Sequence, residues 1–272
     1  MRTGNDLAFA NFLLSVGDGT TRDSRGPTDR VKIGQYRVNE SDLITKIFGE
    51  TITSDNLTEL KDKCILCSKN QDTFRMNEEI IKRVPGQFKD YFSLDSAVYD
   101  NPQTDTVCYT TEFMNSLTPS GLPPHHLQLK EGAIVMLLRN LDIENGLCNG
   151  TRLIISQMGT KILQCSYANE PERKCFLTPI TTSHRDGSLP FELIRVQFPI
   201  RLSFAMTINK AQGQSFSTVG IHIPSPLFNH GQLYVAMSRC RSAEGLKIAI
   251  PNTRENRFSR VKNVVYQELL QG

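Results

Sequence analysis

Two stretches of this sequence set polar and charged side chains where a phosphate could be met. The first, PIRLSFAMTINKAQGQSF (199–216), is an apolar run that opens into a polar turn holding Thr207, Asn209, Lys210, Gln212, Gly213 and Gln214. In open α/β sheets, ligands gather beyond the carboxyl ends of the strands. A turn there offers backbone N–H groups, and Gly213 permits close backbone approach to a phosphate. Lys210 adds a point charge, and the amides of Gln212 and Gln214 can bridge phosphate oxygens or water. A plain glycine turn with a solvated lysine fits the same residues equally well.

The second stretch, HGQLYVAMSRCRSAEGLKI (230–248), has helical spacing over 230–241, with Leu233, Ala236, Met237 and Cys240 on one face. Arg239 and Arg241 fall off that face near the helix's end. They either favour the C-terminal dipole, worth roughly 0.3–1 kcal/mol, or reach a phosphoryl group in transfer as an arginine finger. Spacing alone does not choose.

The elements around these stretches alternate between strand and helix. Phe9, Phe12, Leu13 and Val16 predict a helix over 6–16 that stops at Gly17. Residues 17–36 read as a loop, and Ser41 and Ser54 each open a short helix. KCILCS (63–68) reads as a buried strand feeding a helix over 71–84, a parallel α/β unit. Extended segments are expected over 92–99 and 105–111, and a boundary near 118–124. From about 130 to 198 the pattern changes to short strands, AIVMLLR, TRLIIS, KILQCSY, KCFLTPI and ELIRVQF, separated by turn residues, as in a small antiparallel barrel. The α/β style then returns, with LSFAMT, TVGIHI and LKIAIP as strands. Phe258, Val261, Val265 and Leu269 suggest a closing helix.

Composition narrows the class. The 272 residues suffice for one large or two smaller domains, and the net charge of +3 neither demands nor excludes nucleic acid. No apolar run nears the ~20 residues a membrane span needs, and the N-terminus predicts no signal peptide. The seven cysteines are scattered, as reduced thiols in a core are. Cys64 and Cys67 have the spacing of a zinc knuckle. On a strand, however, they point to opposite faces, no second pair follows, and core packing is the favoured reading over a metal site.

The run TINKAQGQSFSTVGI, followed about ten residues later by HGQLYVAMSRCRS, resembles motifs five and six of superfamily-one helicases. The form is that of the PIF (petite integration frequency) family, which includes the helicase parts of Helitron transposons. Met1-Arg2 with LAFANFLLSVGDGT resembles the end of motif four and the segment after it. ILCSKNQDTFRMNEEII resembles the next strand and helix, and GAIVMLLRNLDIENGLCNGTRLII the entry to an inserted barrel.

This resemblance implies an α/β fold: a second RecA-like, P-loop-NTPase-type motor domain (1–129 and 199–272) interrupted by a small antiparallel barrel of Src-homology-three type (130–198). It implies the C-terminal half of an ATP-dependent DNA helicase that moves 5′ to 3′ on single-stranded DNA and opens duplex junctions. Arg239 would touch the γ-phosphate, and Arg2 would face the same phosphate. Gln212, Gly213, Gln214, Ser215 and Arg241 would line the nucleotide side, and Lys69, Asn70, Thr207, Asn209 and Lys210 would face DNA phosphates. Tyr234 reads as a packed aromatic and His230 as a helix cap. The charges of the barrel, Arg139, Arg152, Lys161, Arg173 and Lys174, read as a solvated face. By family association the protein would act in the nucleus, in repair, recombination, telomere upkeep or transposition. A monomer is expected.

The sequence departs from the family's full pattern. No Gly-Lys dipeptide occurs for a phosphate-binding loop, and no Asp-Glu pair for magnesium. ATP with Mg2+ is the implied cofactor, with the magnesium ligands expected in a first domain outside this sequence. The chain alone is therefore expected to hydrolyse no ATP. The rival readings are a non-catalytic nucleic-acid-binding remnant of a transposon helicase and an arginine finger supplied in trans.

Overall fold

The computed structural model describes residues 6–21, 29–99, 109–185, 187, 189–252, 259–266 and 268. The chain forms two compact units, Met1–Arg83 with Phe204–Gly272, and Val84–Ser203.

The first unit opens with helix α1 (Leu7–Gly17), whose N-cap Asp6 accepts from the Phe9 N–H at 2.9 Å. Its stripe of Phe9, Leu13 and Val16 is buried, and Phe12 stacks on Tyr36. Strand β1 (Arg30–Lys32) follows within the stretch read as a loop, and β2 (Arg37–Val38) just after it. Helix α2 (Leu43–Phe48) starts after Asp42, and the Ser41 hydroxyl donates to the Asp42 carboxylate instead of capping the helix. Residues Ser54–Asp62 wind as a 3-10 helix into strand β3 (Lys63–Cys67), and helix α3 spans Asn70–Arg83. Cys64 and Cys67 are fully buried core residues, and burial pushes the Cys67 thiol up to about 12.

The second unit begins at Val84, not at residue 130. Its strands are β4 (Lys89–Phe92) and β5 (Leu94–Val98), then, after helix α4 (Thr111–Ser116), β6 (His126–Leu129), β7 (Ile134–Leu137), β8 (Arg152–Met158), β9 (Leu163–Tyr167), β10 (Lys174–Leu177), β11 (Ile180–His184), β12 (Glu192–Gln197) and β13 (Ile200–Leu202). They pair in the orders β10-β9-β8-β7-β13, β11-β12-β5 and β4-β6. Pairing of β5 with β12 ties residues 94–98 to this unit, which is why the expected boundary moves. The cause lies in the core as well. Arg195 is fully buried, and its guanidinium grips the Asp95 carboxylate (Nε to Oδ1, 2.9 Å) and the carbonyls of Met114, Leu117 and Pro123. Arg152, read as solvated, is also buried and donates to the Ser203 carbonyl at 3.1 Å.

The apolar run 199–207 is two strands in two units. Ile200–Leu202 pairs antiparallel with β7, and β14 (Ala205–Thr207) returns to the first unit beside β3. Strands β15 (Thr218–His222), helix α5 (Gln232–Met237), strand β16 (Leu246–Ala249) and strand β17 (Arg260–Lys262) complete it. The five-stranded sheet β14-β3-β15-β16-β2 is entirely parallel. Both faces of β15 are covered: a Cβ on Gly220 would meet Ile47 and Leu43 of α2 within about 3 Å, while Val219 and Ile221, facing the other way, are fully buried. At the β14 edge the Asn77 side chain bonds both the N–H and the carbonyl of Ala205, at 2.8 and 2.9 Å. An amide thereby occupies polar groups that an edge strand would leave open. Helix α5 is half the expected length, and Val261, expected on a closing helix, lies on β17. Phe258 and Leu269 are outside the described residues.

Candidate functional site

The segment leaving β14 crosses the sheet from one edge to the other. Thr207 ends β14 in register with Cys67 of β3, so the exposed Lys69 and Asn70, just past β3, lie at the same carboxyl edge as Thr207. A 3-10 turn, Ile208–Ala211, follows. It buries Ile208 and Ala211 and leaves Asn209 and Lys210 exposed. The five residues nominated for DNA are thus collected at the carboxyl edge of two neighbouring strands.

The chain then runs back to the opposite edge. The N–H groups of Gln212 and Gln214 bond the carbonyls of Asn209 and Ala211, at 3.3 and 3.0 Å, so the turn uses donors that were expected to serve a phosphate. Gly213 sits at φ +82 with nothing within 4 Å of its Cβ position, which suits glycine and leaves space for a ligand. Ser217 closes the run, its N–H and hydroxyl both donating to the Asp62 carbonyl at 2.9 Å, just before β3 starts. A five-residue strand is about 17 Å long, which sets the separation of the edges.

Arg239 meets the segment at this amino edge. Its Nη1 donates to the Gln214 carbonyl (3.1 Å), Nε to the Val235 carbonyl (3.0 Å) and Nη2 to the Ser238 hydroxyl (2.9 Å). The backbones join too: Phe216 N–H donates to the Arg239 carbonyl at 2.9 Å, and Arg241 N–H to the Phe216 carbonyl at 3.0 Å. The half-exposed Arg241 side chain stands 3.8 Å from the Asp62 carboxylate. Gln214 and Ser215 are half-buried beside this group, and Gln212 and Gly213 are exposed.

The nominated residues therefore divide by edge, not all beyond the carboxyl ends as the strand-end rule suggests. Gln214 departs from that expectation because the turn after β14 must descend the whole sheet to begin β15, and it meets Arg239 there. Arg2 lies outside the described residues. Tyr234 packs as expected, its ring 3.1 Å from where a Cβ on Gly17 would stand. His230 is no cap. The N-cap is Gly231, and His230 Nδ1 accepts from the Tyr266 N–H at 3.0 Å. Ser238, which sequence reasoning passed over, holds the Arg239 fork; its place beside the arginine was the available signal.

Gly245 makes this edge sensitive to packing. A Cβ there would stand 2.0 Å from the Ser217 carbonyl oxygen and 3.1 Å from Cys240 Sγ. Gly245→Ala is expected to destabilise the first unit by about 1–3 kcal/mol, measured as faster amide exchange in β15 and β16. Unchanged exchange there would contradict the packing argument. Among the described residues no three of His, Cys, Asp and Glu gather as metal ligands.

Residues 112–158 match the family model for the 2B domain of the DNA helicase Pif1. The ATP-dependent DNA helicase PIF1 of Xenopus laevis is 34% identical over 190 residues, 67% of this chain and 27% of that protein. That of Danio rerio is 31% identical over 245 residues, 87% of this chain and 34% of that protein. The chain thus spans about a third of the curated relatives it matches. In fold it is similar to the Pif1 helicase of Candida albicans, with a TM-score of 0.65 at 22% identity, covering 100% of this chain and 58% of that one. Bacteroides Pif1 bound to ssDNA superposes with a TM-score of 0.57 at 24% identity, covering 100% of this chain and 54% of that one. By sequence and by fold, with RecA-like and 2B parts, this chain belongs to the Pif1 family of DNA helicases.

Proposed function

We propose that this chain supplies one wall of the ATP cleft and part of the DNA track of an ATP-dependent helicase that moves 5′ to 3′. The observation that carries the reading is the bond from Arg239 to the Gln214 carbonyl, which makes the finger and the DNA-edge segment one mechanical piece. Among the relatives in fold, one Bacteroides Pif1 structure holds ADP-AlF3 and ssDNA together. Another concerns unwinding at forked dsDNA.

The amino edge meets the nucleotide. Arg239 neutralises charge developing on the γ-phosphoryl group, and the family resemblance assigns Arg2 to the same phosphate. Arg241, Gln212, Gln214 and Ser215 contact the phosphates and ribose, and Gly213 clears their approach. When Arg239 swings toward a phosphate it pulls on Gln214, and the turn carries the displacement to Thr207, Asn209 and Lys210. Those residues, with Lys69 and Asn70, hold the DNA phosphates. Magnesium would supply charge neutralisation to the triphosphate, and among the described residues no three of His, Cys, Asp and Glu gather to hold it. The barrel proper, about 130–198 within the second unit, is of Src-homology-three type. Nuclear residence is part of the same reading, and steady exclusion of a tagged chain from nuclei would count against it.

Without Gly-Lys and Asp-Glu elements the chain alone hydrolyses no ATP. It binds single-stranded DNA weakly, with affinity falling steeply as salt rises. The test is ATP turnover by the purified chain with and without DNA. Stimulated turnover that Arg239→Ala abolishes would overturn the claim that the chain is inactive alone. DNA affinity indifferent to Lys69→Gln/Lys210→Gln would overturn the assigned track.

A further inference from the structure

A ribbon of like charge lies beside the parallel sheet. Strands β1 and β17 are the same tripeptide, Arg-Val-Lys, paired antiparallel: Arg30 faces Lys262, Val31 faces Val261 and Lys32 faces Arg260. Directly opposed residues share a face, and successive residues alternate between faces. The valine pair is buried, at 2% and 4% exposure. All four cations therefore share the other face, with Lys32 and Lys262 exposed and Arg30 and Arg260 half-buried. A polyanion lying along that face would meet four cations at once.

The ribbon leads into an open cavity of about 490 Å3 whose lining includes Asp29, Phe228, Lys262, Asn263 and Tyr266. Phe228 is 60% and Tyr266 50% exposed, and large exposed apolar groups gathered in one groove mark a binding surface. The Tyr266 ring is held in place. It stacks on His230 with centroids 5.5 Å apart and an interplanar angle of 11°, and its N–H donates to that imidazole. Cations along a track with a fixed aromatic at its end are what a single nucleic-acid strand needs, phosphates on the first and a base on the second. Asp29 would repel phosphate from the groove and leave it to a base.

This surface is not the one at Lys69 and Thr207. Strand β1 leads through the turn Gly34–Tyr36 into β2, the edge strand of the sheet farthest from β14. Four strand spacings, about 19 Å, separate the two edge strands. We propose that the β1–β17 ribbon and the Phe228–Tyr266 groove form a second contact for single-stranded nucleic acid, with phosphates over Arg30, Lys32, Arg260 and Lys262 and a base against Tyr266. The inference rests on the helicase reading only for the presence of a strand, not for the geometry of the surface.

The test is fluorescence anisotropy of labelled oligodeoxythymidylate on the whole chain across a salt series. Changing all four cations to glutamine should weaken binding about tenfold or more and flatten the slope of log affinity against log salt by about three. Lys32→Glu, which sets a carboxylate opposite Arg260 in the ladder, should weaken binding while amide-exchange protection in β1 and β17 stays at or above the parent's, an outcome misfolding cannot mimic. Parental affinity and slope in both variants would overturn the inference. If only Lys69→Gln/Lys210→Gln loses binding, the ribbon falls and the helicase reading stands. If only the ribbon variants lose it, the ribbon stands and the carboxyl-edge track falls. Tyr266→Ala should weaken oligodeoxythymidylate but not inorganic polyphosphate. Equal loss of both, or of neither, would make the ribbon a general polyanion surface and remove the nucleic-acid assignment.

Discussion

Asp95→Ala is expected to destabilise the Val84–Ser203 unit by about 3–5 kcal/mol. The side chains of Arg195 and Asp95 are both fully buried. Removing the carboxylate strands a guanidinium without its counter-charge, and the penalty comes from that buried charge more than from the lost contact. Replacing both partners with apolar groups often restores stability at a buried pair. It should not do so fully here, because Arg195 also satisfies the carbonyls of Met114, Leu117 and Pro123. Each carbonyl left buried and unbonded costs about 1–3 kcal/mol. The chain has two units, so one global unfolding curve would blur the effect. Hydrogen exchange resolved along the sequence separates them: protection should fall in β5, β12 and the 111–124 segment and persist in β3 and β15. Unchanged protection in β5 and β12 would refute the claim that this pair holds the unit together.

The same arginine shows where a sequence stops being legible. Strand β3, helix α3, strand β15 and strand β16 were readable because an all-buried parallel strand is a continuous apolar run and an amphipathic helix repeats every 3.6 residues. The short strands from Ile134 to Gln197 were readable from alternation and turn residues. Residues 84–129 were assigned with the motor domain, since the link that ties them to the second unit is a long-range bond between Asp95 and a buried Arg195 that reads locally as an ordinary strand cation. Nor could the run 199–207 announce its division. Ile200 and Ala205 are equally apolar, and only their partners, β7 and β3, put them in different units. Position 260–262 read as helix because Val261 and Val265 are four apart. The valine that decides it, Val31, lies far away in sequence. At the site, residue types and the family resemblance together nominated Arg239 and Gln214, but strand-end reasoning set the turn that holds Gln214 wholly at the carboxyl edge. Which edge a turn ends on depends on where the next strand must start, and that is a property of the sheet.

In a helicase that hydrolyses ATP with this segment in place, Arg239→Ala is expected to lower kcat by about 10³–10⁵ while barely changing stability. The two halves of that expectation have separate causes. Arg239 is half-exposed, and the carbonyls of Val235 and Gln214 that it bonds lie at a surface where water can replace it, so the loss in folding is about 0.5–1.5 kcal/mol. The expected loss in turnover comes from the charge on the transferred phosphoryl group that Arg239 is proposed to neutralise. Arg239→Lys separates charge from shape. Lysine keeps the cation but cannot bond Gln214, Val235 and Ser238 through one planar fork. It should bind nucleotide nearly as well as the parent yet couple poorly to DNA, so that DNA no longer stimulates turnover to the same extent. Ser238→Ala should act in the same direction and more weakly, because Ser238 positions the fork without touching phosphate. Turnover and DNA stimulation in Arg239→Ala equal to the parent would leave Arg239 as a helix-end cation braced on its own carbonyls, with no part in the chemistry.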